Sequence, residues 1–143
     1  MKNLSHLIQQ AALLCCLVIV LSISANAASP QSILGGYEAE AKIQDQHFQE
    51  FSAKRGQLLF QSTNTTGKPE TPSCTTCHSK DPSSAGRTRA EKEISPMALS
   101  RSPQRYNDLK KVEKWFRRNC KSVLGRVCSP LEKGDFITFM INQ

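Results

Sequence analysis

Hydrophobic and polar positions follow a helical period in three stretches of this chain. From about Tyr37 to Phe60, the residues Phe48, Phe51, Leu58 and Leu59 fall on roughly one face, and Gln, Glu and Lys fill the other. From Asp108 to about Asn119, Leu109, Val112, Trp115 and Phe116 make an apolar stripe behind Asp108, a suitable N-cap. Ser129-Pro130-Leu131-Glu132 reads as a capping box with proline at the first helical position. It opens a last helix to about Asn142, with Leu131, Phe136, Phe139 and Met140 inward. Between these stretches, Ser29 to Gly36 reads as a short lead-in, and Gln61 to Ser73 and Ser79 to Gly86 read as polar loops. Ile94-Ser95-Pro96-Met97 is an apolar island in a basic, irregular stretch. No repeat and no convincing strand is visible, so the pattern predicts an all-α fold with long connections.

Length and composition narrow this picture. A chain of 143 residues allows one domain. With 38% hydrophobic and 22% charged residues it is neither a disordered tail nor a multi-span membrane protein. Lys2, the apolar run Ala11 to Ile23 and the small-x-small site Ala25-Asn26-Ala27 read as a signal peptide over residues 1–27. Cleavage is expected after Ala27 or Ala28, leaving residues 28–143 as one exported, periplasmic domain. An uncleaved anchor is the alternative, and the only expected contact with a membrane. Export removes Cys15 and Cys16 and leaves Cys74, Cys77, Cys120 and Cys128 in an oxidising compartment, with His47 and His78. A domain this small buries only about two-thirds of its unfolded surface. A large cofactor in the core would help it fold.

Cys74-Thr75-Thr76-Cys77-His78 is C-x-x-C-H, the attachment motif of a c-type haem. Thiols three positions apart can reach the vinyl groups on one side of a porphyrin, and the next residue sets an imidazole beneath the iron. Thioether bonds make the cofactor permanent, which suits an exported protein. A thioredoxin-like C-x-x-C needs a helix N-terminus in a βαβ setting, which is not visible here. A zinc site needs a second pair at knuckle spacing, and Cys120 and Cys128 are eight apart. The motif therefore predicts one covalent haem c on Cys74 and Cys77, with His78 as proximal iron ligand. Upstream, Gly56 and Phe60 stand at i and i+4. This pair resembles the N-terminal helix of class I cytochromes c, where the glycine lets the last helix cross closely. Phe136 and Phe139 are then the answering residues, and the resemblance implies a class I cytochrome c-like helical fold.

The sixth iron position decides the function. Met97, His47, Asn119 and no residue at all are the candidates. Pro96-Met97 looks like the proline-methionine pair of electron carriers, and a thioether stabilises ferrous iron. Met97 lies only 19 residues after His78, across a polar, charged stretch (RTRAEKE), a short path around a haem edge. His47 lies on the first helical stretch, near Phe48 and Phe51, as a packing or surface histidine would.

The segment from Lys111 to Glu132, KVEKWFRRNCKSVLGRVCSPLE, resembles the oxygen-binding cytochromes c of the sphaeroides haem protein (SHP) family. The resemblance extends from Gly56-x-x-x-Phe60 through C-x-x-C-H to the last helix. It implies an asparagine side chain as distal ligand, here Asn119, and a short disulfide beginning at the next residue, here Cys120–Cys128. It also implies a dihaem cytochrome c as electron donor. An amide oxygen is a hard, weak donor that suits ferric better than ferrous iron. Asn119 is then expected to bind ferric iron and to let go on reduction, leaving a site for O2, NO or CO. The Cys120–Cys128 bridge is open to two readings, a structural staple or a redox-active bond.

From Arg101 to Arg126, nine basic residues face only Asp108 and Glu113. This is a solvated helix face or a docking surface for an acidic redox partner, with some arginines on haem propionates. No nucleic-acid-binding pattern is present. The leading expectation is a gas-binding monohaem cytochrome c. The alternative is a simple electron carrier with Met97 or His47 as permanent sixth ligand. A haem enzyme reducing oxygen or nitrogen species is a third reading, for which only His47 is spare as a general acid.

Overall fold

The computed structural model describes residues 28–143, so the segment read as a signal peptide lies outside the described residues. Among the described residues, four helices carry the fold: α1 (Pro30–Gln44), α2 (Ala53–Gln61), α3 (Leu109–Leu124) and α4 (Pro130–Ile141). A 3-10 turn spans Cys74–Thr76, and two-residue strands β1 (Gly86–Arg87) and β2 (Glu93–Ile94) form an antiparallel hairpin. The fold is all-α in its architecture. Strands so short leave no period in the sequence, which is why the hairpin was not expected.

The expected single helix from Tyr37 to Phe60 is in fact two. Ser29 forms a capping box with Ser32, and Pro30 begins α1, so the supposed lead-in is helical. Gly35 and Gly36 made that stretch look like a loop; side chains at either would meet open space, so the helix tolerates them. Asp45 ends α1 in an extended conformation, and its carboxylate takes the His47 N–H at 2.8 Å. Ser52 then restarts the chain by accepting from the Arg55 N–H.

α4 is the hub, with α1 and α2 packed against it. Gly56 of α2 sits against the backbone of Asp135, and a Cβ there would overlap the Asp135 carbonyl and come to 2.9 Å from Phe139 Cβ. The buried Asp135 carboxylate accepts from the Ser52 N–H at 2.6 Å and from Arg55 Nε at 2.6 Å, pinning the start of α2 to α4. Phe60, fully buried, meets Phe136 and Phe139 with ring centroids 6.1 and 5.9 Å apart. Phe136 in turn meets Phe116 at 5.5 Å, and Phe116 meets Tyr37 at 6.1 Å. One run of edge-to-face rings thus joins all four helices. Tyr37 also donates to the Glu113 carboxylate, which Lys133 Nζ meets at 2.9 and 3.0 Å.

α3 begins at the Asp108 cap, whose carboxylate takes the Lys111 N–H at 3.0 Å. It runs further than its apolar pattern suggested and stops at Gly125, whose φ of 69° is the left-handed conformation that glycine adopts freely. Asn119 is therefore inside the helix and not at its end.

Candidate haem site

The attachment motif is wound on one turn. Ser73 Oγ caps it by accepting the Thr75 N–H at 3.2 Å, and the Cys77 and His78 N–H groups donate to the Cys74 carbonyl at 3.4 and 3.0 Å. Cys74 and Cys77 are half-buried and unpaired with each other. Burial pushes the Cys74 thiol up to about 11. Burial, with the Arg105 charge second, holds His78 down to about 4. The imidazole is thus neutral at ordinary pH, with a lone pair free for a metal.

The loop leading into this turn is bound to the end of α3. The last carbonyls of a helix have no partner within it. Here Lys68 N–H donates to the Ser122 carbonyl at 2.7 Å and Thr66 Oγ1 to the Leu124 carbonyl at 2.8 Å. Thr71 Oγ1 is 2.7 Å from Ser122 Oγ. As a result Cys74, with Leu59 and Phe116, packs against the cluster of Cys120, Val123, Leu124 and Cys128. Cys120 and Cys128 are bonded, with Cα atoms 5.6 Å apart, and both are buried. The motif and the C-terminal half of α3 form one assembly.

Asn119 is exposed at an unusual place on that helix. It lies seven positions after Val112, three after Phe116 and four before Val123, which is the inward stripe. Val112 and Val123 are buried, and Phe116 is half-buried. Protein atoms therefore leave a polar position uncovered within a packed stripe. Trp115, one turn earlier, is 45% exposed, and Leu58 on α2 is 57% exposed. Paired thiols on one turn with a neutral imidazole next to them fit a covalently held haem.

Met97 is held differently. Its N–H donates to the Pro82 carbonyl at 2.8 Å, its own carbonyl accepts from Tyr106 Oη at 3.0 Å, and its side chain packs against the main core cluster. His47 is exposed in the linker between α1 and α2, not on a helix. Of the basic run, Arg101, Lys110, Lys111, Lys114, Arg117, Arg118 and Lys121 are exposed, while Arg126 pairs with Glu132 and Arg105 turns to backbone carbonyls. Sequence reasoning missed the Thr66–Thr71 clamp, whose polar residues look like any loop. It also missed Gly86, a glycine in a polar run whose Cα faces the motif, and the fixing of Arg105.

A family model for a domain of unknown function (DUF1924) matches residues 46–140. The cytochrome c-type protein SHP of Cereibacter sphaeroides is 49% identical over 119 residues, covering 83% of this chain and 88% of that protein. The chain belongs to this family of c-type cytochromes. A solved structure of oxidized SHP, an oxygen binding cytochrome c, matches with a TM-score of 0.76 and 48% identity, over 82% of this chain and all of that one. Cytochrome c'' of Methylophilus methylotrophus is 33% identical over 89 residues, covering 62% of each chain. Its oxidized crystal structure matches with a TM-score of 0.69 and 27% identity, over 80% of this chain and 94% of that one. The SHP-type chain described here is thus a monohaem cytochrome c with the cytochrome c-like helical fold, and its cofactor is covalent haem c. Among the described residues no helix is long and apolar enough to cross a membrane.

Proposed function

We propose that this SHP-type cytochrome works in the periplasm, binds a diatomic gas (O2, NO or CO) at ferrous iron, and exchanges electrons with another cytochrome. The observation that carries the reading is Asn119, a polar residue left uncovered on the inward stripe of α3. The similarity to SHP, described as oxygen binding, supports it.

Cys74 and Cys77 hold the haem through thioethers, and His78 offers its neutral imidazole to the iron. Haem c would supply an iron that changes between ferric and ferrous states and can bind a small ligand. Asn119 offers its amide oxygen there. As a hard donor the amide would suit ferric better than ferrous iron, so its hold would weaken on reduction. An amide N–H not engaged with the iron would be able to donate a hydrogen bond to a gas bound there. The Cys120–Cys128 bridge fixes the helix end next to Asn119. The exposed lysines and arginines of α3 form the face that an acidic partner meets, and a dihaem cytochrome c is the donor to test first.

The test is spectroscopic. Asn119→Ala should alter the ferric spectrum and leave the ferrous spectrum nearly unchanged, and the ferrous parent should bind CO. A ferrous parent inert to CO, with a near-infrared sulfur-to-iron band that Met97→Ala abolishes, would establish a simple electron carrier instead.

A further inference from the structure

Asn119 and Glu113 stand on opposite sides of the arc that α3 turns inward. Six positions apart at 3.6 residues per turn, they lie about 120° apart around the helix axis. Val112, Val123, Phe116 and Cys120 fill the arc between them, Phe116 half-buried and the others buried. How far this arc is turned decides where Asn119 faces.

α3 stands apart from the helices around it. α4 packs against α1 and α2, and among the described residues no helix packs along α3 in this way. A cleft of about 200 Å3, lined by Ile33, Tyr37, Leu109 and Glu113, opens between its first turns and α1. One polar tie spans this gap. Tyr37 of α1 donates to the Glu113 carboxylate, and Lys133 of α4 donates to both of its oxygens, at 2.9 and 3.0 Å. Lys133 Nζ also lies 5.1 Å from the centre of the Tyr37 ring, so the three groups hold one another. The Lys133 side chain is 15% exposed and Tyr37 only 2%, and hydrogen bonds to charged groups are strong where water is scarce. This is the one ion pair that α3 makes among the described residues.

We propose that Glu113, gripped by Tyr37 and Lys133, is a positioning residue: it locks the rotation of α3 about its axis and so aims Asn119 at the iron. The proposal rests on the reading of Asn119 as distal ligand. A side chain about 5 Å from a helix axis moves by about 1 Å for every 10° of rotation. Metal–ligand distances tolerate only about 0.2 Å. A helix that joins its neighbours at few points therefore needs its rotation fixed if it carries a ligand.

The experiment measures imidazole binding to the ferric holoprotein. Imidazole competes with Asn119 for the iron, so its apparent affinity rises as the hold of Asn119 weakens. Asn119→Ala sets the upper limit. Glu113→Ala and Lys133→Met should tighten imidazole binding towards that limit and shift the ferric spectrum the same way, while Lys133→Arg should keep the parent values. Added to Asn119→Ala, Glu113→Ala should change nothing further. Asp135→Ala, which loosens the crossing of α2 and α4 instead, should bind imidazole as the parent does. Parent affinity in Glu113→Ala and Lys133→Met, an equal tightening in Asp135→Ala, or a Glu113→Ala effect that persists without Asn119 would overturn the lock and leave the ligand reading standing. An Asn119→Ala protein that itself binds imidazole like the parent would overturn the ligand reading, and the lock with it.

Discussion

Gly86 lies directly against the carbonyl of Cys77. A Cβ at Gly86 would overlap that oxygen and come to 2.9 Å from His78 Cα, while the neighbouring Arg87 N–H donates to the same carbonyl at 2.8 Å. The β hairpin therefore braces the turn from behind. Gly86→Ala has no room and must push Cys77 and His78 from their places. Overpacking of this kind costs about 1–3 kcal/mol. The expected outcome is a lower haem-to-protein ratio and a lower melting temperature. An unchanged ratio and unchanged melting would show that the hairpin yields instead of the motif.

The crossing of α2 and α4 makes a second prediction, this one for stability alone. Asp135 is 3% exposed and receives the Ser52 and Arg55 donors together. Asp135→Ala strands the half-buried Ser52 N–H, at a cost of about 1–3 kcal/mol, while the exposed Arg55 keeps water and the Glu50 carbonyl. Gly56→Ala forces the helices apart at the same crossing. Because the two sites touch, their effects should not add in the double variant. Urea unfolding of the single and double variants, with haem attached, measures the coupling.

Glu113 gives stability a pH dependence. Burial would raise its pKa, but hydrogen bonds from Tyr37 and Lys133 and the charges of Lys133 and Arg117 outweigh this and hold it below its ordinary 4.5. A folded value below the unfolded one means that the ionised group contributes stability above the ordinary value. That contribution is lost as pH falls through the folded value. Glu113→Gln should be less stable than the parent at neutral pH, and the gap should narrow in acid. A gap independent of pH would show that the carboxylate charge contributes nothing.

The Cys120–Cys128 bridge closes a short segment next to Asn119. Replacing both cysteines by serine should destabilise the protein by roughly 2.5 kcal/mol on loop entropy. The two residues are only 6% and 8% exposed, so the folded protein should resist dithiothreitol and lose the bond only on unfolding. Thiol titration with and without denaturant checks this. Rapid reduction in the native state would favour a redox-active bond over a staple.

Much of this was legible in the residues. The spacing Cys74-x-x-Cys77-His78 points to haem attachment because thiols three positions apart lie on one turn, and the structure winds them on one. The caps Asp108 and Ser129 mark helix starts by local hydrogen bonds alone, and the structure has both. What local pattern could not supply was where polar loops return. The Thr66–Thr71 segment has no hydrophobic period, and its partners are backbone carbonyls of α3 more than fifty residues away. The division of the first helical stretch was hidden because Phe48 and Phe51 keep apolar spacing while their backbone sits in the linker before and at the edge of α2.

The sequence by itself determined the C-x-x-C-H spacing, the helical class and the helix starts set by caps, since each depends on residues within a few positions of one another. The tertiary structure alone decided that the attachment turn is bound to the end of α3, that Gly86 braces Cys77, and that Asn119 is uncovered within the helix while Met97 joins the core. Those facts depend on which distant surfaces exclude water together, and no local pattern encodes that.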